Sequence, residues 1–274
     1  MKKSISYWSF KDSDDYSVRL AKCFREAKAA GFQAVEPAMS FKGEITPATT
    51  KKECEAIAAG AKAARIEMAS LATGLFWRRP LTSSDPAVRE EGLDIGARLI
   101  ERAKWLGLDA VLVLAGLVDA DTSYDVCYER GLKAIKKLAR VAARHRVRIG
   151  VENVWNKFLL SPLEMRDFVD ACDSKYVGAY FDIGNVLLTG FPDQWIRILG
   201  RRIVRIHAKD FRVGVGNLEG FCDLLDGDVP WKKTMRALKA VGYKSYVTSE
   251  IVPWRRGLTA KTSRAMDKIL SYAR

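Results

Sequence analysis

A chain of 274 residues with 48% hydrophobic content holds ample material for a large core, so composition excludes disorder. Lys and Arg number 46 against 33 Asp and Glu, and the resulting +13 favours an anionic partner such as a phosphate ester or nucleic acid, while fitting a plain basic surface equally well. Five scattered cysteines (Cys23, Cys54, Cys127, Cys172, Cys222) make no CxxC pair, which argues against a disulfide scaffold and a structural zinc site.

Met1-Lys2-Lys3 runs straight into SYWSFKDSDD, without the apolar stretch of a secretory signal, and no window approaches the roughly 20 apolar residues of a membrane span. The expectation is a cytoplasmic protein with no membrane partner. From the N-terminus onward, short β-rich runs alternate with longer amphipathic segments. The predicted strands are ISYWSF (5–10), AVEPAM (34–39), EMASLAT (67–73), DAVLVLAG (109–116), RIGVEN (148–153), GAYFDIGN (178–185), IVRIHAKDF (203–211) and SYVTSEI (245–251). Helical spacing of apolar residues marks the segments between them, as in Leu132-Ile135-Leu138-Ala139-Ala142, and a last helix is predicted over 259–273. Gly31, Gly107 and Gly242 stand where helices stop before the next strand. Eight such units without a linker point to an α/β fold, a single (β/α)8 TIM barrel occupying 1–274 as one domain. An open doubly wound sheet is the alternative; it is weakened because no GxGxxG follows the first strand and no phosphate-binding GxxxxGK[ST] occurs.

In such a barrel, reactive side chains project from the C-terminal ends of strands. The last four strands each supply one ligand-type residue there: Glu152 in GVEN, Asp182 in YFDIGN, His207 in RIHAKD and Glu250 in TSEI. An ionisable group in an apolar strand is costly to bury unpaired, and a shared divalent cation compensates all four at once. Three carboxylates and one imidazole suit Mn²⁺, the expected ion, or Zn²⁺, Co²⁺ or Mg²⁺, rather than a soft metal. The competing reading of each residue taken singly is a cap, an ion pair or a satisfied core histidine.

The motifs GVEN, YFDIGN, HAKD and SEI, with SSDPAVREEG (83–92) and LLDGDVPW (224–231), resemble the sugar phosphate isomerase/epimerase group of xylose isomerase-like TIM barrels. Within it, FDIGN is most similar to the L-ribulose- and L-xylulose-5-phosphate 3-epimerases. The resemblance implies one divalent metal on Glu152, Asp182, His207 and Glu250, with the two glutamates moving protons. Free-ketose 3-epimerases of this superfamily usually place a substrate-binding His where Asn185 stands and a Glu where Phe158 stands, which argues against a plain ketohexose enzyme. With only His145 and His207 in the chain, the several-histidine sites of xylose isomerase proper and of AP endonuclease are close to excluded.

The ligand set itself suggests enediolate chemistry on a ketose or ketose phosphate, with Glu152 and Glu250 as catalytic acid and base. Further substrate-binding candidates are Asn185, Lys209, Arg212, Glu36 (on a hydroxyl, or orienting a glutamate), and the aromatics Trp8 and Trp155. Phe76, Trp77 and Trp254 fit a core or an interface equally well, and Arg255 and Arg256 are weaker candidates for a distal phosphate. Alternative activities are aldose-ketose isomerisation and inosose dehydratase-like elimination. A non-catalytic sugar-binding protein and a nucleic-acid-binding one are less favoured; the latter has only the net charge behind it. Homo-oligomerisation is left open.

Overall fold

The computed structural model describes residues 1–273. Eight parallel strands, β1 (Lys2–Ser6), β2 (Ala34–Glu36), β3 (Glu67–Met68), β4 (Ala110–Val113), β5 (Arg148–Glu152), β6 (Val177–Asp182), β7 (Ile203–Ala208) and β8 (Tyr246–Ser249), pair in the order β3-β2-β1-β8-β7-β6-β5-β4. The two ends of this sheet meet at Leu71, just past β3. Its N–H donates to Ala110 O (3.1 Å) and its carbonyl accepts from Leu112 N (3.0 Å), so the sheet closes into a barrel.

The helices are α1 (Leu20–Ala29), α2 (Lys51–Ala63), α3 (Pro86–Trp105), α4 (Tyr124–His145), α5 (Pro162–Ala171), α6 (Pro192–Leu199), α7 (Trp231–Ala240) and α8 (Leu258–Ser271). Each lays an apolar stripe on the barrel. In α4 the buried face is Cys127, Gly131, Ala134, Ile135, Leu138, Ala139 and Ala142, a three-and-four spacing that keeps one side inward. Starts are set chemically: Thr50 and Glu53 form a capping box on α2, and Asp85 and Ser161 cap α3 and α5 ahead of Pro86 and Pro162. Gly31, Gly107 and Gly242 have φ of +88°, +77° and +77°, the left-handed turn that ends α1, α3 and α7.

Several predicted strands are longer than the observed ones. The first lies earlier, at Lys2–Ser6, because Tyr7–Ser9 turn into a 3₁₀ segment. Pro37, lacking an N–H, interrupts AVEPAM, so Ala38–Met39 leave the barrel and pair with Ala72–Thr73 above it. IVRIHAKDF likewise splits: Asp210–Phe211 turn away to pair antiparallel with Phe221–Cys222, making a hairpin over the C-terminal mouth. Among the described residues no helix is long and apolar enough to cross a membrane.

Candidate metal centre

Alternate residues of a strand face the same way, so Gly150 and Glu152, Tyr180 and Asp182, and Arg205 and His207 form successive layers inside the barrel. Register aligns the layers: Glu152 is opposite Tyr180, Asp182 opposite His207, and His207 opposite Thr248. Large inward groups are admitted by small neighbours. A Cβ at Gly150 would come within 2.9 Å of Tyr180 Cβ, so the glycine is what lets the Tyr180 ring cross the barrel.

The top layer brings the four predicted ligand-type residues together. One ligand atom from each of Glu152, Asp182, His207 and Glu250 lies within 4.8 Å of all the others. His207 Nδ1 is 2.9 Å from Glu250 Oε2, 3.3 Å from Glu152 Oε1 and 4.0 Å from Asp182 Oδ2. Asp182 is pinned by Asn153, whose side chain accepts from Asp182 N and donates to Asp182 O, both at 2.8 Å.

The Glu36 carboxylate, at the end of β2, is fully buried beneath the cluster. One oxygen stands 2.8 Å from His207 Nε2, and the other accepts from Ser70 Oγ (2.8 Å) and Tyr180 OH. Nε2 donates to this carboxylate, which turns Nδ1 toward the other three carboxylates, the orientation of a histidine that would ligate a metal once Nδ1 gives up its proton. Glu36 therefore braces the His207 ring, and it is not part of the cavity wall. Tyr180, Ser70 and Asn153 were not among the sequence candidates. Tyr180 was accessible to the period-two argument, lying two residues before Asp182 on the same strand face.

Lys209 enters the cluster itself. Its ammonium lies 2.8 Å from Glu250 Oε2 and 3.0 Å from Asp182 Oδ2, yet without the direction of a hydrogen bond, so both oxygens remain unsatisfied as acceptors. Burial raises the Glu152 carboxyl above its usual range, against the pull of His207 and Lys209. Burial also opposes ionisation of Glu250, but Lys209 and His207 win and hold it well below the usual carboxylate range. For His207, burial disfavours the charge, and Glu36 foremost among its neighbours overcomes this and lifts the imidazole well above its ordinary value. The donor set fits a divalent cation: converging carboxylates of which Asp182 Oδ2 and Glu250 Oε2 lack hydrogen-bond partners, a braced imidazole, and an ammonium that already supplies positive charge among them.

The cluster opens on a cavity of about 760 Å³ whose wall includes Glu250, Lys209, Asn185 and Trp155. Asn185 spends its Nδ2 on Asn153 O (3.0 Å), and Trp155 donates to Asn185 O (2.8 Å) while packing on Phe211 and Phe221. Trp8 lies off this cavity wall, donates to Tyr16 OH and covers a small cluster with Tyr180. Arg212 is exposed and donates to Asp226 O (3.2 Å), Arg255 pairs with Asp223, and neither these two nor Arg256 line the cavity. Phe158 is buried against Tyr124, Tyr128 and Phe168, as a core residue.

The chain is 28% identical over 187 residues to the L-ribulose-5-phosphate 3-epimerase UlaE of Escherichia coli O157:H7 (strain EC4115 / EHEC), covering 65% of this chain and 62% of that enzyme's length. It is 26% identical over 230 residues to the Shigella flexneri enzyme of the same name, covering 80% of this chain and 77% of that one. In fold it is similar to D-psicose 3-epimerase from Clostridium cellulolyticum H10, solved with D-tagatose, at 18% identity and a TM-score of 0.83 over 100% of this chain and 99% of the other. From residue 24 to residue 269 the sequence matches the model of the xylose isomerase-like TIM barrel, and the chain belongs to that family.

Proposed function

We propose that the protein is a metal-dependent sugar epimerase, inverting C3 of a ketose or ketose phosphate in the cytoplasm. The observation that carries the reading is the placement of Glu152 and Glu250. They come from β5 and from the end of β8, flanking Asp182 and His207, and both reach His207 Nδ1. Carboxylates converging from two sides can address two faces of one carbon, which inversion requires. The relatives named L-ribulose-5-phosphate 3-epimerase support the reaction class. Five unpaired thiols support the compartment.

Glu152, Asp182, His207 and Glu250 would hold one divalent cation, expected to be Mn²⁺, whose Lewis acidity favours loss of the proton beside a ketose carbonyl. One glutamate takes the C3 proton from one face, and the other returns a proton to the opposite face of the enediolate. Glu36 keeps the His207 ring in place through both steps, and the aromatic wall of Trp155 and Phe221 keeps bulk water from the exposed carbanion carbon. The test is proton NMR of pentuloses, hexuloses and pentulose phosphates incubated with Mn²⁺-loaded protein in D₂O. Deuterium is expected at C3 of both recovered substrate and product. Label confined to C1 would establish an aldose-ketose isomerase instead, and loss of water, with deuterium entering C4 as the resulting enol ketonises, an elimination.

A further inference from the structure

The cavity in front of the cluster is far more apolar than a sugar requires. Beside Glu250, Lys209, Asn185, Asp210 and Glu219, its wall carries Trp77, Trp155, Leu218, Phe221, Ile251 and Val252. Three of these come from separate loops and are open to solvent at the rim: Trp77 is 44% exposed, Leu218 71% and Val252 49%. Exposed large apolar groups converging on one opening mark a surface that water leaves on binding. At about 760 Å³ the cavity falls within the roughly 300–1,000 Å³ of sites that enclose drug-sized ligands, and a pentulose or hexulose alone would leave much of it unfilled.

Charge points the same way. Among the described residues Lys209 is the one basic side chain on the wall, and it stands at the inner end between Asp182 and Glu250. Arg212 and Arg255 are turned to Asp226 and Asp223 outside the cavity. The outer wall instead carries Glu219, whose charge repels a dianion. Asp210, also on the wall, is consumed by Phe211 N, Leu225 N, Val229 N and Trp231 Nε1, and so ties the base of the hairpin to the segment that follows it. With C1 to C3 of a ketose at the carboxylates, the far end of the molecule meets indole and aliphatic carbon.

We infer that the substrate is a neutral keto-sugar whose distal end carries an apolar, ring-like substituent, and not a phosphate ester. This deepens the epimerase reading and rests on it for which end of the sugar faces the cluster. The experiment is calorimetric titration of the Mn²⁺-loaded protein with D-fructose, D-fructose 6-phosphate and 6-O-benzyl-D-fructose, alongside C3 deuterium exchange of each. The benzyl ether is expected to bind at least about tenfold tighter than fructose, since a buried aryl group is worth that much in transfer free energy. The phosphate ester is expected to bind no tighter than fructose. Trp77→Ala and Leu218→Ala should each shrink the ratio of benzyl ether to fructose affinity. A phosphate ester that binds tighter than fructose, or a benzyl ether that gains nothing, overturns the inference even if C3 exchange occurs. Benzyl preference without C3 exchange leaves the substituent pocket standing and removes the epimerase chemistry. If the two alanine variants alter the oligomeric state and leave the affinity ratio intact, the rim is a subunit interface and the inference fails.

Discussion

Glu152 and Glu250 carry the same functional group in different surroundings, and each can be tested without emptying its place. A glutamine retains an oxygen toward the cluster and cannot accept a proton. Glu152→Gln and Glu250→Gln are therefore expected to lower kcat by about 10² to 10⁴ while substrate affinity changes little. Steady-state kinetics with Mn²⁺ at saturation checks this, and near-normal turnover in both would dismiss their role as acid and base. Glu36 calls for a different readout because it touches His207 rather than substrate. Glu36→Gln loses the charged acceptor on Nε2, and Mn²⁺ affinity, followed by the paramagnetic resonance of free ion, should fall about 10- to 100-fold. Unchanged metal affinity would reduce Glu36 to a buried structural carboxylate.

The elements that hold these residues were partly readable beforehand, and the gaps have physical causes. β4 to β8 are runs of apolar residues bounded by turns, so their number and order could be read directly; their ends could not, because an apolar run continues past the last ladder bond. Asp210–Phe211 illustrates this: the run IVRIHAKDF looks continuous, yet its end departs to a hairpin fixed by long-range bonds to Asp210 from residues 225, 229 and 231. The cluster was legible because barrel strands deliver consecutive ends to one mouth; the contacts of Glu36 with His207 and of Lys209 with Asp182 and Glu250 were not, because side-chain direction within that mouth is a tertiary property. Gly184 shows how tightly two elements meet there. A Cβ at this position would lie 2.6 Å from Lys209 Cβ and 3.0 Å from Lys209 O, so the turn after β6 and the end of β7 touch backbone to backbone. Gly184→Ala must push the two apart, at a cost of about 1–3 kcal/mol for overpacking. A melting temperature lower by roughly 2–10 °C, together with weaker Mn²⁺ binding, is the expected result. A variant with wild-type melting and metal affinity would show that this contact does not govern the cluster.

At the scale of the whole molecule, the +13 net charge and the candidate centre are distinct features, since the cavity wall pairs one lysine with Asp210, Glu219 and Glu250. The positive charge lies on the outer surface, where salt screens it, and the cluster is buried, where salt does not. What the cluster contributes to the fold is a link among β5, β6, β7 and the end of β8, four neighbouring staves of the closed sheet. An ion that binds the native cluster and not the unfolded chain stabilises by mass action, about 2.7 kcal/mol at a concentration one hundred times its Kd. For a chain of this size that corresponds to a melting temperature higher by roughly 5–10 °C. Without an ion, Lys209 and the protonated His207 supply the positive charge facing Asp182 and Glu250, and a bound ion would compete with the Lys209 ammonium for the same two oxygens. Lys209→Met removes the competitor and, at the same time, the charge that steadies the metal-free barrel. The metal-free variant should melt below the metal-free wild type, bind Mn²⁺ more tightly, and show a larger gain on adding it. Calorimetric melts of both proteins, stripped with a chelator and then reloaded, measure all three quantities. If chelation leaves the wild-type melt unmoved, no ion links these strands; if only the variant's gain is no larger than the wild type's, the ion binds without displacing Lys209.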